Sequence, residues 1–401
     1  MNDEIDLFQF ISWQIRTLKY LGIWFPIYSV NKIKLFLIIF IKIIILLVVF
    51  IIPAGGQLVY LLRLIFSGKA EIQEVAGIIN LILTELLIII KLLHLYWNRF
   101  NLYKLMDKII HEDFYNFSKN HTTRLKMAIK RSKRLYIYLL ASCILDITVH
   151  VIVVPVVHRF RVLPVKMDFI YIDVNNEHYF KYIFVYQILY KPVIVLTFVA
   201  MKTLSWSCIL FATNQLDNLR HNIKSINTSV EKIIKRNNCD KSLAFKELFK
   251  NCVQHHNCIL SFVELIQATF GGQFSLTLIF NACIICTTSV QFFSIQSPSN
   301  NISEIIWVFA FMFIFAVILF VDSYYGDAIT TKNFAISEEI YSYPWMNLSP
   351  QLKRNVQLFI GKTQISLVVK TSLLVPVSLD TFTKVMNWTY KGFAVLNQMK
   401  A

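Results

Sequence analysis

The sequence predicts an all-α, polytopic membrane protein with seven transmembrane helices, its N-terminus inside and its C-terminus outside. Composition, unbroken apolar runs and the placement of Lys and Arg carry that prediction. The chain has 401 residues, 56% hydrophobic and only 16% charged, with a mean hydropathy of +0.55. Soluble domains carry about 25% charged residues, so much of this surface faces something other than water. Several runs reach the ~20 apolar residues that a helix needs to cross a bilayer. Helices are expected because each backbone N–H and C=O must be paired inside lipid. A β-barrel would instead alternate over segments of about ten residues, whereas these runs are continuous and dense in Ile, Leu and Phe.

In chain order, residues 5–25 form an amphipathic lead-in carrying Leu7, Phe8, Phe10, Ile11, Trp13, Ile15 and Leu18 and ending at Pro26. It suits a helix lying in the interface or one packed on other cytosolic segments. The first apolar run is too long for a signal-peptide core and lacks a small-residue cleavage site, so it is expected to remain as a span. Spans are expected at 33–55, 74–97, 135–157, 182–212, 266–296, 303–325 and 372–397. Lys and Arg number ten in 98–134, eight in 213–265 and five in 326–371, against one, four and none in 64–73, 158–181 and 297–302. The rich loops belong in the cytoplasm. Within 214–262, Leu216, Leu219, Ile223, Ile226, Val230 and Ile233 recur near helical spacing, which predicts helices continuing spans four and five below the membrane.

The net charge of +16 does not imply nucleic acid, because the cations sit in the loops that the positive-inside rule fills. The seven cysteines fit no metal frame. Cys252 and Cys258 flank His255 and His256, a spacing unlike a standard zinc site, while Cys143, Cys208, Cys283 and Cys286 read as small core residues. No enzyme activity, cofactor or metal is expected. A G-protein-coupled receptor would have the opposite orientation, and its Asp-Arg-Tyr and Asn-Pro-x-x-Tyr motifs are absent. A transporter would have broken helices in paired repeats, and Pro192 and Gly271–Gly272 do not correspond in that way. Asp146 and Lys191 fall near mid-membrane and are expected to pair with each other or to meet a ligand, with His150 one turn from Asp146.

The last helix carries the clearest chemistry. At ~100° per residue, Asp380, Lys384, Asn387, Lys391 and Gln398 form one stripe, with Phe382, Met386, Phe393 and Leu396 opposite. Such a stripe must face protein or water. It is what a pore lining requires, in a symmetric oligomer, although a helix buried in its own bundle with paired polar groups fits the pattern as well.

Residues 335–399 contain Tyr341-x-x-Pro344-Trp345, Leu348–Pro350, Lys353–Arg354, the run Ser378–Lys384 (SLDTFTK), and Thr389–Tyr390 followed by seven residues and Gln398. Together, in order, these pieces resemble the C-terminal signature of insect odorant receptors. The resemblance implies an odour-tuning subunit of an odorant-gated, non-selective cation channel, assembled as a tetramer with co-receptor subunits in the plasma membrane of sensory neurons. It implies a membrane and ligand-binding unit at 1–325, a cytoplasmic anchor at 326–371 and a pore-lining helix within 372–401. By alignment Val395 falls at the family's apolar constriction and Gln398 and Met399 just outside it, with Asn387 and Lys391 on the same stripe. Family members bind small volatiles among spans two, three, four and six. There this chain offers Leu83, Leu87, Ile147, His150, Tyr186, Tyr190, Phe311 and Phe315, which suit a small hydrophobic ligand.

Overall fold

A computed structural model describes residues 6–24, 32–68, 70–110, 114, 121–157, 163–169, 176–237, 240–295 and 302–398. Its α-helices are α1 (Ser12–Tyr20), α2 (Lys32–Ile45), α3 (Ile52–Phe66), α4 (Ile72–Trp97), α5 (Arg99–Ile110), α6 (Thr122–Thr148), α7 (Glu177–Lys224), α8 (Ile226–Asn237), α9 (Lys241–Ser294), α10 (Ile302–Tyr341), α11 (Pro350–Gln364) and α12 (Leu379–Gln398). Among the described residues the extended backbone pairs only as an isolated bridge between Lys370 and Pro376.

Five of the described helical segments are long and apolar enough to cross a membrane: Phe36–Phe66, Ile72–Trp97, His178–Lys224, Lys241–Ser294 and Glu304–Tyr341. The third and seventh spans, α6 and α12, are more polar, and with them the chain is a seven-helix membrane protein. Two spans contain π turns, Leu46–Ile51 and Val149–Val153, each just before a proline, Pro53 or Pro155. Proline has no N–H to give to the preceding turn, and a π turn absorbs the break without ending the helix.

The 48 residues of α7 and 54 of α9 would run about 70–80 Å at 1.5 Å per residue. The hydrocarbon core is ~30 Å thick, so both helices extend well beyond it, as the apolar spacing predicts. Leu216, Leu219, Ile223, Ile226 and Val230 are all buried. α7 is the axis of the bundle, its side chains continuously buried from Thr197 to Leu216. The lead-in is packed rather than laid on the interface. Ile11, Ile15 and Leu18 are buried, Gln14 Nε2 donates to Ser207 Oγ at 3.0 Å, and Ser132 Oγ donates to the Phe10 carbonyl at 2.7 Å.

The zinc-like cluster is structural. His255 bonds Gln215 at 3.0 Å and His256 bonds Asn333 at 3.0 Å, tying α9 to α7 and α10. Cys143, Cys208 and Cys252 are buried, but Cys283 is exposed and Cys286 half-buried, so those two are not core residues. The expected seventh span starts too early. Residues 369–377 fold as a tight hairpin with Leu374 at φ 61° and Val377 N–H bonded to the Val369 carbonyl at 2.9 Å. Its apolar composition imitates a span, but it packs on α9 and α10. Ser372 N–H donates to the Gly271 carbonyl at 3.1 Å, and a Cβ at Gly326 would collide with the Val377 carbonyl. Gly326 is therefore the point where α10 touches the entry to α12.

Candidate functional site

Spans two, three, four and six enclose a cavity of about 100 Å³. Leu81, Thr84, Glu85, Leu87 and Ile88 come from α4; Cys143, Asp146 and Ile147 come from α6, with Val151 from the turn that follows. α7 gives Lys191, Ile194, Val195 and Phe198, and α10 gives Trp307, Phe311, Ile314 and Phe315. Each set recurs at three- and four-residue steps, which places it on one helix face. The aromatic wall is continuous: Trp307–Phe311, Phe311–Phe315 and Phe315–Phe198 ring centroids are 5.6, 4.9 and 6.1 Å apart. Pro192 lies inside α7 beside Lys191 and removes one backbone donor from the helix at the level of the cavity.

One end of the cavity is charged. Lys191 Nζ lies 3.2 Å from Glu85 Oε1, which also accepts from Gln57 Nε2 at 2.9 Å. The expected pairing of Lys191 with Asp146 is thus corrected: the ammonium bonds the carboxylate of span two. Asp146 lines the same cavity, and its Oδ1, like Glu85 Oε2, has no hydrogen-bond partner among the described residues. Behind Phe198 lies a second buried set. Lys91 Nζ sits 5.9 Å from the Phe198 ring centroid, Lys202 pairs with Asp322, and Trp206 Nε1 donates to Asp322 Oδ1 at 2.6 Å.

Of the eight ligand candidates, Leu87, Ile147, Phe311 and Phe315 line the cavity. Leu83 is half-buried on another face of α4. The rings of Tyr186 and Tyr190 lie 5.0 Å apart at a 38° tilt, and the Tyr186 hydroxyl donates to the Val48 carbonyl. They look toward the first span, because their positions on the helical wheel are turned roughly 100–140° from Lys191, the reference of the cavity face. The side chain of His150 and all of Met399 lie outside the described residues. Sequence reasoning missed Glu85, Phe198 and Trp307. Glu85 was findable, since a lone carboxylate deep in an apolar span is itself a signal.

The second candidate feature is α12. Thr381, Val385 and Thr389 are buried against the bundle, and Phe382 and Phe393 pack on Phe320 and Phe293 at 5.6 and 4.9 Å. The opposite face is open: Asp380, Lys384, Asn387, Lys391, Val395 and Gln398 are all exposed. Lys384 Nζ pairs with Asp380 Oδ2 at 2.6 Å, which offsets one of the two stripe cations.

Between the sixth and seventh spans, α11 buries Leu352, Val356 and Phe359, with Phe359 edge-on to Phe249 at 5.5 Å and to His256 at 5.3 Å. Burial holds His255 down at about 3 and also lowers His256. Tyr341, Met346, Leu358 and Ile365 remain exposed along this unit.

A family model described as 7tm Odorant receptor matches residues 71–390. Putative odorant receptor 92a of Drosophila melanogaster is 27% identical over 146 residues, which cover 36% of this chain and 35% of that protein. The chain thus matches about a third of that relative's length. The solved insect olfactory receptor OR5 from Machilis hrabei superposes with a TM-score of 0.78 at 13% identity, covering 99% of this chain and 100% of the other. The same receptor in complex with eugenol gives 0.75 at 14% identity, covering 98% and 100%.

Proposed function

Because the chain belongs to the 7tm odorant receptor family, a family of receptors and not of enzymes, we propose that it is an odour-tuning subunit of an odorant-gated, non-selective cation channel. The observation that carries this reading is the open polar face of α12. An isolated subunit would show Asp380, Lys384, Asn387 and Lys391 to hydrocarbon, at a cost of several kcal/mol for each unpaired ion. A ring of subunits turns the same faces toward a shared aqueous path. Val395, exposed near the end of this stripe, would close the path by excluding water, since an apolar constriction holds a narrow pore dry.

The ligand in this reading is a small volatile in the cavity of spans two, three, four and six; that the solved relative was obtained in complex with eugenol supports a ligand of this class. Its apolar body would lie on Phe198, Phe311, Phe315 and Trp307. Any polar group would turn toward Glu85, Asp146 and Lys191. A cavity of about 100 Å³ is below the ~300 Å³ of ordinary ligand pockets, so a ligand has to push its walls apart. The wall on α10 is the one with a route to the pore, through Gly326 and Val377 to the start of α12. The partners in this reading are co-receptor subunits in a tetramer, held below the membrane by the unit at 326–371 and its exposed Tyr341, Met346, Leu358 and Ile365. The place is the plasma membrane of sensory neurons.

A cysteine scan of α12 tests the pore. With the chain expressed beside an insect co-receptor, a charged, membrane-impermeant thiol reagent should alter the current when cysteine replaces Asn387, Lys391 or Gln398. It should leave the current unaltered when cysteine replaces Phe382 or Phe393. The reverse pattern would remove α12 from the pore.

A further inference from the structure

A cavity far larger than the ligand cavity lies elsewhere among the described residues. It is a cleft of about 880 Å³ between α6, α7 and α10, in the segments assigned to the cytoplasm by loop charge. It begins where the apolar parts of these helices end, at Leu210 on α7 and at Arg134, next to Leu135, on α6. Seven Lys and Arg side chains line it against two carboxylates. The two acids are already engaged, Glu339 by Arg220 and Asp217 by Lys332. Lys130, Arg131 and Arg134 on α6 and Lys224 on α7 have no ion-pair partner among the described residues, and Arg124 reaches only the ring of His221, at 3.1 Å.

This concentration is not ordinary helix decoration. A solvated helix face alternates signs so that acids sit one turn from bases, but α6 has no acid before Asp146. Lys130 and Arg134 are like charges at i, i+4, and Arg131 and Arg134 at i, i+3, spacings that destabilise an isolated helix. The field is felt locally: His221 is pushed below its ordinary range first by burial and then by Arg124, His121 and Lys224. Loop cations that merely set membrane orientation have no need to converge on one concave surface.

We propose that this cleft binds a multiply phosphorylated anion, the shared chemistry of a phosphoinositide headgroup and a soluble inositol polyphosphate. Five cations stand unmatched by the two carboxylates. A phosphomonoester carries about −1.5 to −2 charges at neutral pH, so about three phosphates balance the cleft. A singly charged headgroup does not. The volume is within the ~300–1,000 Å³ of small-molecule sites, and basic pockets between helices on the cytoplasmic side suit such headgroups. The anion would clamp α6 and α7 to α10, the helix that carries Phe311 and Phe315 above and Gly326 between.

The test uses the full-length chain assembled with an insect co-receptor in phosphatidylcholine nanodiscs. The probes are soluble inositol hexakisphosphate, discs doped with phosphatidylinositol bisphosphate, and discs doped with phosphatidylserine. The expected result is a raised thermal midpoint with one or both phosphate-rich probes. The triple variant Lys130→Gln/Arg131→Gln/Arg134→Gln should weaken that effect by roughly tenfold or more in apparent affinity. A shift with the soluble probe identifies a free polyanion; a shift with the doped bisphosphate discs alone identifies a lipid. Relief of like-charge repulsion predicts that the unliganded triple variant melts no lower than the parent. If the triple variant does not assemble, Lys224→Gln on the facing wall should weaken binding by itself. A phosphatidylserine effect equal to the bisphosphate effect in parent and variant alike would mean leaflet attraction only and would overturn the proposal, as would no shift with any probe.

Discussion

Replacing Glu85 with Gln keeps the shape of the side chain and removes its charge. In the parent, Lys191 faces Glu85 at 3.2 Å with side chains 10% and 2% exposed, so water cannot take over the lost role. Breaking a buried pair from one side costs about 3–5 kcal/mol, whereas replacing both partners is close to neutral. Asp146 in the same cavity offers Lys191 a second, weaker counter-charge, which places the loss near the lower end, about 3 kcal/mol. Asp146→Asn leaves the bonded pair intact and should cost about 1 kcal/mol or less, the scale of an exposed pair. The assay is the thermal midpoint of the receptor in detergent by fluorescence-detected size exclusion, over a double-mutant cycle with Lys191→Met. Lys191→Met should rescue Glu85→Gln substantially and Asp146→Asn hardly at all. An equally damaging Asp146→Asn, rescued by Lys191→Met, would refute the pairing and return it to spans three and four.

Gly326→Ala drives a methyl group into the Val377 carbonyl and should depress surface expression or odorant response, while Gly361→Ala, with open space around it, should be silent in the same assays. His255, held at about 3 by burial against ~6.5 unfolded, stays neutral in the folded chain. The unfolded chain then binds the extra proton, so stability is full above about pH 6.5 and falls as pH drops toward 3. The loss is about 2 kcal/mol by pH 5, read as a falling thermal midpoint that His255→Gln flattens. Val395→Asn should wet the constriction and raise the resting current per surface channel, and Phe393→Leu should change stability more than resting current; the opposite ranking would mean that α12 is rotated. An epitope after Ala401 should stain intact cells, and staining only after permeabilisation would reverse the assigned topology.

Most of the scaffold was legible because membrane helices announce themselves through continuous apolarity and loop charge. The continuation of span four beyond the apolar core followed from Leu216, Leu219, Ile223 and Ile226, all of which are buried. The lead-in was legible as amphipathic but not as packed, since its partners Ser132 and Ser207 lie more than a hundred residues away. Half of the ligand candidates reach the cavity. Tyr186 and Tyr190 do not, because an i, i+4 pair reveals a shared face without revealing which face. The partner of Lys191 was misread for a related reason: three ionisable residues on three spans admit more than one pairing, and only the relative heights and rotations of the helices choose Glu85. The hairpin at 369–377 misled hydropathy, because Val and Leu occur in a tight turn anchored by buried Val369 and Val377 as well as in a span.

The most direct test of the account is the current evoked by a panel of volatiles in cells expressing this chain with an insect co-receptor. The cavity, its aromatic wall and the open face of α12 together predict a rapid inward cation current to at least one small hydrophobic volatile. That current should be absent when this chain is omitted and should shift in ligand preference when Phe198 or Phe315 is replaced by Ala. A surface-delivered complex that stays silent to the whole panel, or responds identically without this chain, would contradict it.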